Sequence, residues 1–107
     1  MTDFNDRERA EEANFAHNED MAFRVLARRN RLLGQWAAEK MGLTPEETEA
    51  YAKEVVQAEF EEFGDDDVVR KVLGDLTGAG RDIDEAGVRA ALNAQAIEAR
   101  RQLMGEV

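Results

Sequence analysis

The chain has 107 residues and a formal net charge of −10, and it contains no cysteine. That length implies one domain with a modest core. The missing thiols exclude a disulfide framework and a thiolate metal site and fit a reducing cytosol. The acidity argues against nucleic acid, whose phosphates repel such a surface, and no apolar run approaches the roughly 18 residues that span a membrane.

The chain opens with FNDRERAEEANFAHNED, Phe4 to Asp20, which sets two phenylalanines among charges. A helix would bring Phe4 and Phe15 to one side, about three turns apart, with Glu8 and Glu11 between them. That is a poor core face. Ordering costs about 1–2 kcal/mol per residue, which so few apolar groups do not offset alone. The segment is therefore expected to be disordered or fraying when free, and to fold as a helix with two aromatic anchors on a partner.

A convincing helix is predicted from Asp20 to Met41. Met21, Val25, Leu32 and Trp36 form one apolar stripe, and Ala22, Leu26, Leu33 and Ala37 form the adjacent one. Gly34 interrupts them, either for close packing beside Trp36 or for a local bend. Gly42 reads as the C-terminal cap.

The next helix has clear start signals: Thr44 as N-cap, Pro45 at the first helical position and Glu47 completing a capping box. It is expected to reach about Phe63, offering Tyr51, Ala52, Val55, Val56, Phe60 and Phe63 to the core, with Gly64 ending it. Asp65 or Asp66 caps a short third helix carrying Val68, Val69, Val72, Leu73 and Leu76. After Gly78-Ala79-Gly80 a fourth helix begins at Asp84. An Ile83–Val88 staple stands at its start, and Leu92, Ala96, Ala99 and Leu103 lead to Gly105. Four amphipathic helices with short links make an all-α four-helix bundle over residues 20–107, preceded by a mobile or partly disordered segment, 1–19.

Charge is unevenly placed: Met1–Asp20 sums to −5, Met21–Leu43 to +4, Thr44–Asp67 to −9 and Val68–Val107 to zero. Arg24, Arg28 and Arg31 share a helical face with Arg29 beside it. Such a row suits an acidic helix, here the second one, or a phosphate. That face leaves room for weak adenine-nucleotide binding; no other cofactor is implied. Asp65, Asp66 and Asp67 point in different directions on a helix start and read as capping groups, not a metal site. The single histidine, His17, reads as solvated, with a minority role as a pH sensor. No nucleophile–base pair or metal spacing occurs, so no enzyme is expected.

Four stretches carry a family resemblance: FNDRERAEEANFAH (Phe4–His17), ARRNRLLGQWAAEKMG (Ala27–Gly42), AYAKEVVQAEFEEFGDDDVVRKVLGDL (Ala50–Leu76) and the tail after Gly80. Over nearly the whole chain the sequence resembles the zeta subunit family of alphaproteobacterial F-type ATP synthases. It departs from that pattern at Asn14, where lysine is expected, and at Asn18, where aspartate is. The resemblance implies a four-helix bundle whose N-terminal segment enters the catalytic head at an interface of the alpha, beta and gamma subunits. There it becomes helical and blocks hydrolytic rotation. It places the inhibitory contacts on Phe4, Asp6, Arg7, Glu8, Arg9, Glu11, Glu12, Phe15 and His17. It further implies a protein monomeric when free, cytoplasmic, and held at the inner membrane through the synthase, not by insertion.

Overall fold

The computed structural model describes the backbone of residues 2–61 and 65–105, and the side chains of residues 20–58 and 65–105. Four helices follow in order: α1 (Thr2–Met41), α2 (Pro45–Glu61), α3 (Asp65–Gly78) and α4 (Glu85–Met104). No strand occurs among the described residues. The expected all-α four-helix bundle is the observed fold.

Local sequence sets each helix end. Thr44 Oγ1 accepts from the Glu47 N–H at 3.2 Å, and Glu47 Oε1 accepts from the Thr44 N–H at 2.8 Å. This reciprocal pair is the expected capping box, and the Thr44 N–H holds the Glu47 carboxyl below its usual range. Asp84 caps α4 by accepting from the Gly87 N–H at 2.8 Å. Ile83 packs on the core just before that cap and Val88 is fully buried, as the staple requires. The chain leaves α1 and α3 through Gly42 and Gly80, at φ of 74° and 77°. In that left-handed conformation the next N–H reaches back to an orphan carbonyl, Leu43 to Ala38 and Arg81 to Leu76. The expected end of the second helix at Phe63 and its stop at Gly64 lie outside the described residues.

α1 is 40 residues long, against 17, 14 and 20 for the others. At about 1.5 Å per residue it is about 60 Å long, which accounts for a molecule of 65 × 25 × 22 Å. The short 42–44 connection sets α2 antiparallel to α1. α4 is antiparallel to α1 as well: Arg28 meets Gln102 at one end, and Lys40 shares a hollow with Arg81 and Ile83 at the other. The α1 backbone is helical from Thr2, in continuity with the predicted Asp20–Met41 helix.

The core joins Leu33, Ala37 and Ala38 of α1, Tyr51 and Val55 of α2, Val68, Val69, Val72 and Leu76 of α3, and Val88, Ala91 and Leu92 of α4. On α1 the buried stripe is rotated from the predicted one. Val25, Leu33 and Ala37 are buried as expected, but Leu32 and Trp36 are only half-buried, and Ala22 and Leu26 are exposed. Arg29 and Asn30 take the places between, at 6% and 1% exposure. Gly34 fixes the rotation. A Cβ there would stand 2.7 Å from the Ala52 Cα and 3.3 Å from Val55 Cγ2, so α2 lies directly against the α1 backbone. The reason for this glycine is close packing, and α2 is its partner.

Candidate functional site

Phe4, Asp6, Arg7, Glu8, Arg9, Glu11, Glu12, Phe15 and His17 fall in the N-terminal half of α1. Their side chains lie outside the described residues. The helical backbone through them is the conformation in which positions 4 and 15 share a side.

The arginines of α1 divide into two sets. Arg29 is inside: its Nε donates to Asn30 Oδ1 at 3.0 Å and its Nη2 to Asp65 Oδ1 at 3.0 Å. It ties α1 to the first turn of α3. Arg24, Arg28 and Arg31 are outside, and each leans on a different element. Arg24 pairs with Asp20 one turn back at 3.2 Å. Arg28 donates to Gln102 of α4 at 2.8 Å. Arg31 Nη2 donates to both Glu49 oxygens of α2, at 2.7 and 2.9 Å. Among the described residues, Arg31 is the one of the three that realises the predicted match between this basic face and the acidic second helix.

These three side chains rim an open groove of about 380 Å³ whose other walls are Ala27, Val56 and Leu103. The apolar walls were not visible as such in the sequence, where Val56 and Leu103 read as core residues. Both are half-buried, facing the seam between α1, α2 and α4. Chemically, the groove pairs an apolar floor with planar, delocalised guanidinium cations.

Elsewhere the charges are matched locally. Asp65, Asp66 and Asp67 diverge to three different arginines, Arg29, Arg89 and Arg70. The hydrogen bond from Arg89 lowers the Asp66 pKa. Glu98 accepts from Arg101 and Gln102, which brings its pKa down to about 2. Tyr51 donates to Asp75 at 2.8 Å, and Lys71 meets the same carboxylate at 3.1 Å while standing 5.3 Å over the Tyr51 ring. Burial first, and the hydrogen bond to Asp75 second, push the Tyr51 phenol well above its usual pKa. No cluster of histidine and carboxylate residues placed to hold a metal occurs among the described residues.

Three comparisons bear on this geometry. The family profile for ATPase inhibitor subunit zeta matches residues 1–102. A protein whose structure was solved by solution NMR is 50% identical, with a TM-score of 0.70; the match covers 81% of this chain and 99% of that one. No curated protein matches.

Proposed function

Because the chain belongs to the ATPase inhibitor subunit zeta family, we propose that it restrains ATP hydrolysis by an F-type ATP synthase through residues 1–19. In this reading the segment enters the catalytic head as a helix at an interface of the alpha, beta and gamma subunits and blocks reverse rotation. The bundle holds it in place. The protein acts as a regulator in the cytoplasm, attached to the inner membrane through the enzyme, and catalyses nothing itself. No helix among the described residues is long and apolar enough to cross a membrane.

The observation that carries this reading is the length of α1. Its 40 residues outrun the three helices that pack against it, so the inhibitory run is a direct extension of a bundle helix. Helix nucleation is the unfavourable step and propagation is not. A segment growing from α1 therefore meets its host with the nucleus already in place. Burying Phe4 and Phe15 contributes roughly 1.5–3 kcal/mol each, against roughly 2–5 kcal/mol for ordering a segment on binding. A preformed helix nucleus tips that balance towards insertion, and Arg7, Arg9 and the glutamates add charged contacts.

The test is an ATPase assay on the cognate enzyme with the whole protein and with a form lacking Thr2–His17. Deletion removes inhibition while the far-ultraviolet circular dichroism and cooperative melting of the bundle persist. Equal inhibition by the two forms would refute the proposal.

A further inference from the structure

We infer that the groove between α1, α2 and α4 is a second docking point for the synthase, and that its occupant is a carboxylate-bearing, partly apolar segment of a synthase subunit. This rests on the inhibitory reading above and adds to it the partner surface that the bundle recognises.

Charge selects the occupant. The chain carries −10 overall, yet residues 21–43 carry +4, and the groove rim is built from that stretch. Residues 1–20 and 44–67 repel an acidic partner and residues 68–107 are neutral overall, so an anionic segment is steered to this face. The arrangement of the cations selects a segment over a phosphate. Arg24, Arg28 and Arg31 run along α1 over about 10 Å at 1.5 Å per residue. Asp20, Gln102 and Glu49 hold them apart. A phosphate or nucleotide needs donors that converge on one point, whereas a row of separated guanidiniums matches carboxylates spaced along a chain. The floor of Ala27, Val56 and Leu103 then receives an apolar side chain between those carboxylates.

Position supports the same conclusion. Groove and inhibitory run stand on one helix, with Arg24 about 14 Å beyond Phe15 along the axis. A partner held in the groove therefore fixes where the N-terminal half of α1 points.

The test compares charge reversals in the full-length protein. Arg24 and Arg28 are exposed, so Arg24→Glu/Arg28→Glu leaves the fold in place. The control Arg70→Glu/Arg81→Glu changes the net charge equally at exposed residues that do not line the groove. Affinity for the cognate synthase and inhibition of hydrolysis are measured for both. The groove variant is expected to lose about tenfold in affinity, the equivalent of 1.4 kcal/mol, and the control less than about twofold. Equal losses in the two variants, or none in either, overturn the proposal. So does an ATP titration that perturbs Arg24, Arg28 and Arg31 while the groove variant keeps full affinity for the synthase. Should the reversal disturb the fold, Arg24→Gln/Arg28→Gln serves in its place, with about a threefold loss expected and none overturning the inference. Failure of the wild-type protein to inhibit at all is a different result, and it removes the inhibitory reading itself.

Discussion

Arg28 and Arg29 are adjacent on α1, about 100° apart around the helix, and they stand in opposite physical situations. Arg28 reaches across an exposed seam to Gln102, while Arg29 is 6% exposed and bonds to Asn30 and Asp65. The outer arginine keeps its hydration and is free to exchange partners. The inner one has given up water, and its protein partners are what make its charge tolerable. The outer set is therefore open to a partner and the inner one is architecture, although the sequence writes them as a single basic run.

The most forceful way to break this comparison is to truncate both. Arg29→Ala removes a buried side chain with its hydrogen bonds to Asn30 and to the half-exposed Asp65 carboxylate, and is expected to lower stability by about 2 kcal/mol. Arg28→Ala is expected to change it by less than about 0.5 kcal/mol. Urea unfolding followed by circular dichroism measures both. Similar midpoints for the two variants would show that burial does not separate them.

Gly34 tests the packing that holds Arg29 inside. An added methyl would stand 2.7 Å from the Ala52 Cα, and backbone cannot swing aside as a flexible side chain can. Gly34→Ala gains about 1 kcal/mol of helix propensity but forces α1 and α2 apart, at a cost of about 1–3 kcal/mol typical of overpacking. The expected net result is a lower melting temperature. The same change at Gly74, whose added Cβ meets nothing within 4 Å, is expected to raise it slightly.

How much of this was legible in the sequence follows from what each signal reports. Capping grammar at Thr44–Glu47 and Asp84 is local, so the helix starts could be read directly. The apolar periodicity of α3 located its buried valines, because every candidate on that face is apolar. On α1 the periodicity misled. Apolar residues cover so wide an arc that they do not fix which side of it turns inward, and Arg29, which the basic run claimed for the surface, is buried with Asn30. The choice was made by a tertiary contact, Ala52 against Gly34, which no property of α1 alone encodes. The groove was half legible: its arginine row is a pattern within one helix, whereas Val56 and Leu103 come from two others. The reach of α1 back to Thr2 is compatible with the low helix stability read for that run alone, because a helix already nucleated in the bundle extends at lower cost than an isolated one.

The smallest expected effects separate buried from exposed hydrogen bonds by their pH dependence. Tyr51 is the buried case, with its phenol pushed up by burial and by Asp75. A group whose pKa is raised on folding contributes stability that is complete below its unfolded value of 10.0 and is lost as pH climbs beyond it. Tyr51→Phe is therefore expected to lose about 1 kcal/mol at neutral pH, the worth of one hydrogen bond, and to flatten the alkaline limb of a melting-temperature profile. Glu98 is the exposed case and has the opposite sign. Its carboxyl is lowered from 4.5 to about 2 by Arg101 and Gln102, so its contribution is present above pH 4.5 and fades as pH falls through about 2. Water screens an exposed pair of this kind, so Glu98→Gln should lower stability only slightly at neutral pH and flatten the acid limb, by less than Tyr51→Phe flattens the alkaline one. A larger acid effect from Glu98 would mean that α4's C-terminal turn is held by its surface pairs, and that the division between inner and outer charges drawn on α1 does not extend to α4.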